Sequence, residues 1–327
     1  HRVIKLVFIV LSIVLLGLAA LSASAAPSAQ GDAEQGAYIF ALTAGCGCHT
    51  SEAGALAGNA GFQMEGPFGA VSFPNITPDP ETGVGDWSDQ EIIDAIRLGT
   101  RPDGRQLFPM MPYPAFSGMS DQDVQDLVAY LRTVEPVKNA VPSTELTAPM
   151  PPFKPPVPPP AVAPTEGVAR GEYLVNAVTA CGDCHTPRNP DGSPDMSKFM
   201  AGAFSPEAGG VVPNITPDEE TGIGGWTEEQ IATLIRTGKE PDGSQAEGMA
   251  FLIEDGWKDM TESDALAIAA YLKTVPAVKN VPQAPQEVPK TGGAKSSGPV
   301  VAGLMALVGA AAVASGFVLR RRRYRGV

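Results

Sequence analysis

Five consecutive residues, Cys181-Gly182-Asp183-Cys184-His185, are the most informative of this chain, and a shortened counterpart, Cys46-Gly47-Cys48-His49, lies nearer the amino terminus. Together they contain all four cysteines of the 327-residue chain and two of its three histidines. Cys-x-x-Cys-His is the attachment sequence of a c-type haem, because two thiols add across the two porphyrin vinyl groups while the histidine comes to lie under the iron. The sequence predicts a haem held by Cys181 and Cys184, with His185 as proximal ligand.

Two further segments occur twice. Pro-Asn-Ile-Thr-Pro-Asp stands at residues 74–79 and 213–218, and Glu-Thr-Gly-x-Gly-x-Trp stands at 81–87 and 220–226. The offset is the same for both pairs, and each member follows one cysteine stretch. Two units of this length indicate a tandem duplication rather than a solenoid. We therefore predict a first copy over residues 31–140 and a second over 167–281.

The first cysteine stretch has one residue between its thiols instead of two. Either a residue has been lost, or Cys46 has moved and Gly45 stands where the first thiol is expected. Cys48 and His49 remain adjacent, so a second haem with His49 as axial ligand is still predicted. Whether Cys46 also bonds stays open, because the shorter spacer must strain to reach the second vinyl group.

A zinc site and a thiol–disulfide site are the alternatives. Two cysteines and one histidine in each copy leave zinc short of a fourth good ligand. A redox Cys-x-x-Cys is expected on a thioredoxin-like βαβ pattern, which the sequence lacks. Covalent haem therefore remains the preferred interpretation for both copies.

Methionine is the natural candidate for the other side of each iron, because the remaining histidine is His1 in the terminal segment. Met111 lies in a Pro-rich loop, and Met249 lies at the equivalent place in the second copy. Both follow a Pro-Asp-Gly turn. A His/Met pair raises the iron potential toward the range used to pass electrons onward. Met110 competes with Met111.

Each copy reads as mostly helical with long loops. Ser88 and Thr227 open capping boxes, and Gly99 and Gly238 end the helices that follow. The linker at residues 141–166 is dominated by proline and predicts a stiff polyproline spacer that separates the two copies.

The ends of the chain carry membrane signals. Residues 1–26 predict a signal peptide, with a retained amino-terminal anchor as the alternative. A linker at 282–299 leads to a predicted transmembrane helix at 300–319 and a basic cytoplasmic tail at 320–327. The body would then face outward from the cell membrane. Val288-Pro289-Lys290-Thr291-Gly292 also resembles a Gram-positive cell-wall sorting signal, which would join Thr291 to the wall instead.

The net charge is −13, with 36 acidic residues against 23 Lys and Arg. Such a chain lacks the basic face that nucleic acid requires. It fits a redox partner with a basic docking face, or simply a need for solubility.

Both copies resemble class I cytochrome c domains, of the kind found in tandem in cytochrome subunits of membrane-bound bacterial dehydrogenases for alcohols and sugar acids. The residues that carry the resemblance are Gly171-Glu172-Tyr173-Leu174-Val175, the cysteine stretches, the two repeated segments, Met111-Pro112-Tyr113, Met249 and the closing Ala-Tyr-Leu runs. The resemblance implies an all-α fold with two covalent haems c.

The resemblance also assigns further residues. It implies that the first and last helices cross where Gly36 meets Tyr130 and where Gly171 meets Tyr271. It implies haem pockets lined by Asn75, Trp87, Asn214 and Trp226.

The predicted function is electron transfer by a membrane-anchored dihaem cytochrome, from a quinol-oxidising complex or dehydrogenase to a terminal oxidase or soluble carrier. The layout also resembles the dihaem subunit of some actinobacterial quinol-oxidising complexes. One alternative is a dihaem redox enzyme of the peroxidase or thiosulfate-oxidising type, with an open coordination site at the first haem. An electron reservoir without a fixed partner is another.

Overall fold

The structure, a computed structural model, describes residues 31–190, 192–205 and 210–284. The predicted signal segment, Thr291 and the predicted transmembrane helix at 300–319 lie outside these ranges. Among the helices that the structure describes, none is long and apolar enough to cross a membrane. The transmembrane part of the predicted fold class is therefore without structural support.

The described part of the first copy contains four α-helices. They are α1 (Ala33–Leu42), α2 (Asp89–Leu98), α3 (Tyr113–Phe116) and α4 (Asp121–Thr133). A 3₁₀ helix, Ala44–His49, follows α1 and carries the shortened cysteine stretch. The attachment residues are therefore placed by the end of the first helix.

The second copy repeats this order in its described residues. Its helices are α5 (Gly167–Tyr173), α6 (Cys181–His185), α7 (Glu228–Thr237), α8 (Ala250–Asp255) and α9 (Glu262–Leu272). A π-helical segment, Leu174–Val178, extends α5 toward the cysteines, and short 3₁₀ segments occur at Met196–Lys198, Glu247–Met249 and Trp257–Asp259. The second attachment sequence is thus a complete short α-helix.

The predicted capping boxes are confirmed. The Ser88 hydroxyl accepts the Glu91 N–H at 3.3 Å, and the Glu91 carboxylate accepts the Ser88 N–H at 2.7 Å. Thr227 and Gln230 make the same reciprocal pair at the start of α7. Gly99 and Gly238 end these helices with φ of 63° and 73°, in the left-handed region that glycine adopts without strain.

The predicted helix crossings are also confirmed. A Cβ placed on Gly36 would lie 1.9 Å from the Asp126 carbonyl oxygen and 2.9 Å from Tyr130 Cβ. A Cβ placed on Gly171 would lie 1.8 Å from the Ala267 carbonyl oxygen and 2.9 Å from Tyr271 Cβ. In each copy the first and last helices therefore meet backbone to backbone.

The predicted all-α class is wrong, because the described residues include short strands in two sheets. In one sheet β2 (Gly69–Ser72) lies between β1 (Gln63–Gly66) and β3 (Glu145–Leu146), and in the other β4 (Ala203–Ser205) pairs with β5 (Gly210–Val212). All pairs are antiparallel. Strands of two to four residues are too short for alternation in the sequence to reveal them.

The two copies pack directly against each other through a reciprocal pair of tyrosines. Tyr38 in α1 donates to Asp264 at 2.7 Å, and its counterpart Tyr173 in α5 donates to Asp123 at 2.6 Å. Each phenol oxygen also accepts a backbone N–H at the start of the other copy's last helix, from Thr261 at 3.2 Å and from Ser120 at 2.9 Å. The buried apolar residues of both copies accordingly form one hydrophobic core.

The Pro-rich linker does not hold the copies apart, so that expectation was wrong. Its residues bind the surface of the first copy instead: β3 pairs with β2, and the Pro160 and Ala161 carbonyls accept the N–H groups that open α4. The apolar surfaces of the copies then remain free to bury each other. Burial of apolar area outweighs the stiffness of a spacer that can lie along the surface.

Candidate haem sites

In the second copy, the orientation of His185 is fixed by a backbone carbonyl. His185 is buried at the end of α6, and its Nδ1 lies 2.9 Å from the Pro213 oxygen. Because a carbonyl only accepts, Nδ1 carries the proton and Nε2 keeps its lone pair. Burial lowers the pKa of His185, which favours the neutral ring. A neutral, oriented imidazole is the form that binds a metal.

The first copy repeats this geometry. Nδ1 of His49 lies 2.7 Å from the Pro74 oxygen, and burial again lowers the pKa of the histidine. Pro74 and Pro213 open the two repeated Pro-Asn-Ile-Thr segments. Sequence reasoning missed their role, although their position in the repeat was a signal. The short spacer therefore leaves the histidine orientation unchanged.

Asn75 and Asn214 hold the loops that present these carbonyls. Asn75 Oδ1 accepts the Thr77 N–H at 2.9 Å, and its amide nitrogen donates to the Val137 carbonyl at 2.7 Å. Asn214 makes the equivalent bonds to Thr216 and Val278. Each asparagine thus ties its loop to the segment that follows the last helix of its copy. That these asparagines line haem pockets stays a prediction.

The first cysteine of each attachment stretch has matching surroundings in the two copies. Cys46 and Cys181 are half-buried and pack on the hydrophobic core. A threonine hydroxyl lies near each sulfur, Thr43 at 3.5 Å from Cys46 and Thr179 at 3.1 Å from Cys181. Burial raises the pKa of each thiol to about 11. The second cysteine of each stretch, Cys48 or Cys184, is exposed.

The backbone around the shorter spacer of the first copy adopts unusual conformations. Ala44 and Cys46 adopt left-handed φ of 58° and 47°, whereas in the second copy Ala180 has a φ of 50° just before α6. Such conformations are strained for residues with a Cβ. A Cβ placed on Gly47 would lie 2.8 Å from Oδ2 of Asp255, which comes from α8 of the second copy. A larger residue at the single spacer position would therefore have to displace the end of the Asp255 side chain.

Met111 and Met249 both pack against the hydrophobic core and are half-buried. Met111 lies in the loop before α3, and Met249 ends the 3₁₀ segment before α8. Met110 is 36% exposed. This contrast favours Met111 over Met110 as the inward-facing residue of its loop.

Trp87 and Trp226 are half-buried and contact the same core. The Arg101 guanidinium lies 5.1 Å from the ring centroid of Trp87, and Arg132 donates to the Trp87 carbonyl. Trp87 is thus held from two sides. A role of either tryptophan in a haem pocket stays a prediction.

These donor sets fit haem c. Each copy offers one neutral imidazole with a free Nε2, two thiols within the same turn, and a thioether in a loop near the core. Imidazole and thioether are axial ligands of iron in cytochromes c, and the thiols add to the porphyrin edge.

Comparison with known proteins agrees with this chemistry. The cytochrome c family matches residues 33–135, and the LPXTG cell wall anchor motif matches residues 280–323. A diheme cytochrome c-type protein of Cereibacter sphaeroides is 34% identical over 265 residues, which is 76% of this chain and 88% of that protein.

Two dehydrogenase subunits are similar over a smaller share of their length. The cytochrome c subunit of the quinone-dependent alcohol dehydrogenase of Gluconobacter oxydans is 32% identical over 287 residues, covering 80% of this chain and 59% of that subunit. The fructose dehydrogenase cytochrome subunit of Gluconobacter japonicus is 34% identical over 267 residues, covering 73% and 52%. This chain therefore spans little more than half of those subunits.

The two lines of observation agree on the cofactor. The oriented histidines and paired thiols fit covalent haem, and the relatives are cytochromes over most of this chain. The chain belongs to the electron-transfer c-type cytochromes, of the kind that includes diheme cytochrome c and dehydrogenase cytochrome subunits, and it binds haem c covalently.

Proposed function

We propose that the protein carries two haems c, one in each copy, and passes electrons from a quinol-oxidising complex or dehydrogenase to an oxidase or soluble carrier. The observation that carries this proposal is the repeated histidine geometry, in which Pro74 and Pro213 fix His49 and His185 with Nε2 free. Bound haem supplies a one-electron iron couple. The chain's own residues orient the ligands, exclude water and set the potential.

The axial pairs in this proposal are His49 with Met111 and His185 with Met249. Half-burial of both methionines against the core supports them, since a thioether ligand must sit where water is excluded. Near-infrared absorption from sulfur-to-iron charge transfer should appear with the intensity of two haems in the oxidised protein. Loss of half that intensity in Met111→Ala, but not in Met110→Ala, would support the assignment at the first haem.

A closed first site also distinguishes electron transfer from the enzyme alternative. A dihaem peroxidase or thiosulfate-oxidising enzyme needs a displaceable ligand at one iron. Carbon monoxide should therefore leave the spectrum of the reduced protein unchanged at neutral pH. Uptake of one carbon monoxide per chain would favour the enzyme over the carrier.

Cys46 is proposed to form a thioether like Cys181. Their shared half-burial, threonine neighbours and raised thiol pKa support equivalent positions, and the left-handed residues Ala44 and Cys46 compensate for the shorter spacer. Each S–H adds across one vinyl C=C, so no oxidant is needed and no atom is lost.

Alkylation of the denatured protein tests this attachment. Treatment with iodoacetamide followed by intact-mass measurement should show two haems and no alkyl group, because all four sulfurs are already thioethers. One alkyl group would mean that Cys46 is free. A mass short by one haem would remove the first-copy assignment altogether. Cys46→Ser should keep both haems, with the reduced absorption band of one haem at longer wavelength because a vinyl group is retained.

Contact between the copies supports electron transfer within the molecule. The 3₁₀ helix Ala44–His49 packs against α8, which directly follows Met249. In the reciprocal contact, α3, which closely follows Met111, packs against Leu174–Val178, the segment that leads to the second cysteine pair. Stopped-flow oxidation should therefore show both haems reacting in one exponential phase rather than two.

The acidic charge supports a partner with a basic docking face. With a net charge of −13, association should accelerate at low ionic strength and slow as salt screens the charges over about 10 Å. A basic soluble cytochrome serves as a probe. If its electron-transfer rate is independent of salt between low and physiological ionic strength, the charge serves solubility alone.

Attachment to the cell wall at Thr291 is proposed for the location. The match of residues 280–323 to the cell wall anchor motif supports it, together with the Val-Pro-Lys-Thr-Gly sequence at 288–292. Muramidase should release the wild-type protein, while a Thr291→Ala variant should require detergent. Equal release of both proteins by detergent alone would contradict wall attachment.

A further inference from the structure

The Pro-rich linker is bound to the first copy at three successive places. Near its start, β3 extends the first sheet and the Thr147 N–H donates to the Phe68 carbonyl at 2.9 Å. Near its end, the Pro160 carbonyl accepts the Asp121 N–H at 2.9 Å, at the first residue of α4. Between these two places, Phe153 of the linker contacts the loop that carries Met111.

Phe153 is held on that loop by its ring and its backbone. Its ring centroid lies 5.2 Å from that of Tyr113 in an edge-to-face arrangement, and its N–H donates to Oε1 of Gln106 at 3.2 Å. Tyr113 follows Met111 by two residues and is only 3% exposed. The linker therefore covers the side chain that fixes the end of the methionine loop.

Gln106 connects this contact to the rest of the loop. Its Nε2 donates to the Leu98 carbonyl at the end of α2 at 2.6 Å. A Cβ placed on Gly99 would lie 2.5 Å from Tyr113 and 2.6 Å from Gln106. The two ends of the loop and the linker thus meet in one tightly packed cluster of Gln106, Tyr113 and Phe153.

The second copy differs at the counterpart positions. Phe251, the aromatic residue two positions after Met249, is 43% exposed, and Ile253 rather than Phe251 packs beside Gly238 as Tyr113 packs beside Gly99. Gln245, which takes the place of Gln106, is exposed as well. The aromatic residue that follows Met111 is thus buried and in ring contact with the linker, whereas the aromatic residue that follows Met249 is exposed.

We propose that Phe153 is a positioning residue for Met111, and that the linker clamps the methionine loop of the first copy so that its thioether stays on the iron. This inference rests on the proposed axial role of Met111. A preorganised loop loses less conformational freedom when its ligand binds, so removing the clamp weakens ligation at the first haem alone. The second haem is then an internal reference within the same molecule.

The test compares Phe153→Ala with Val157→Ala in the full haem-loaded protein. Val157 is an exposed apolar residue of the same linker, 67% exposed, and controls for changes in linker composition. We expect Phe153→Ala to lose up to half of the sulfur-to-iron charge-transfer absorption at moderate urea concentration, where the wild type and Val157→Ala keep all of it. The reduced variant should also bind up to one carbon monoxide per chain.

Two further variants keep the outcome decisive. Phe153→Leu preserves apolar contact but removes the ring pair, so it should lie between the wild type and Phe153→Ala even if the alanine variant loses its first haem. Wild-type absorption and no carbon monoxide uptake in both Phe153→Ala and Phe153→Leu would overturn the proposal. If Met111→Ala itself leaves the absorption intact, the proposed ligand is wrong; if Met111→Ala halves it and the Phe153 variants do not, only the clamp is wrong.

Discussion

The two copies have the same order of helices, but the equivalent buried carboxylates, Asp123 and Asp264, have different hydrogen-bond partners. In the second copy, the guanidinium of Arg170 forms two hydrogen bonds with the Asp264 carboxylate, at 2.9 and 2.8 Å, and Tyr38 adds a third. In the first copy, Gln35 takes the place of Arg170 and is exposed. Asp123 there bonds to Tyr173, and burial raises the pKa of its carboxyl. The first copy thus has the buried carboxylate, Asp123, but an uncharged glutamine at the position of the arginine.

Backbone contact is common to both copies, so breaking it should have the largest effect. Gly36→Ala and Gly171→Ala each push a methyl group to within 2 Å of a carbonyl oxygen of the last helix. We expect losses above about 4 kcal/mol in the free energy of unfolding, because neither backbone can yield. Urea denaturation measures this. Gly225→Ala, where nothing lies within 4 Å, should change stability by about 0.5 kcal/mol or less.

The ion pair between Arg170 and Asp264 is a difference between the copies that a substitution can remove. Arg170→Gln gives the second copy the residue of the first and leaves the buried Asp264 without its cation. We expect a loss of about 3 kcal/mol in unfolding free energy, while Gln35→Ala stays within about 0.5 kcal/mol. Thermal denaturation of both variants checks this contrast. Equal effects would mean that the two carboxylates are held alike.

A substitution in the contact between the copies should have an intermediate effect on the free energy of unfolding. A Cβ on Gly256 would lie 2.0 Å from the Ala41 carbonyl of α1, beside the Trp257 indole that donates to Leu42 at 2.9 Å. Because the copies can shift slightly apart, Gly256→Ala should cost about 1–3 kcal/mol. Hydrogen exchange should become faster at the Trp257 indole. Unchanged protection would indicate that this contact contributes little to docking.

The smallest expected effect is a pH dependence from Asp123. Since burial raises its pKa, the folded protein holds this proton more tightly than the unfolded chain. Stability therefore falls as pH rises from about 3.8, the ordinary value, to the raised pKa, by at most about 1.4 kcal/mol per pH unit.

Asp123→Asn should remove that slope because the amide does not titrate. Urea denaturation across this pH range compares the two proteins. The exposed carboxylate of Asp86 supplies the control, and Asp86→Asn should keep the wild-type slope. An identical slope in Asp123→Asn would mean that another group is responsible.

Local signals in the sequence predicted much of each copy. Ser88 with Glu91 lies where the capping pattern indicates, and Gly36 meets Tyr130 as the family resemblance implies, because caps and crossings depend on residues of one copy. The short strands were missed, since two to four residues carry too little alternation, and one of them, β3, pairs with a strand far away in the chain.

Contacts between the copies could not be predicted in the same way. Tyr38 and Tyr173 look like ordinary helix residues, and only the folded arrangement brings their hydroxyl groups to carboxylates of the opposite copy. The histidine ligands followed from the attachment sequence, whereas Pro74 and Pro213 act through carbonyls that any residue could offer. For backbone acceptors of this kind, the repeated segment around Pro74 and Pro213 was the only signal that the sequence offered.

The reciprocal tyrosines have a consequence for how the molecule comes apart. Each copy supplies a hydrogen-bonding group that the other needs at the start of its last helix. Separating the copies would therefore deprive each carboxylate of its tyrosine donor and expose the apolar surface that the copies bury together. The duplicated domains should melt in a single cooperative transition, as one folding unit that merely contains two redox centres.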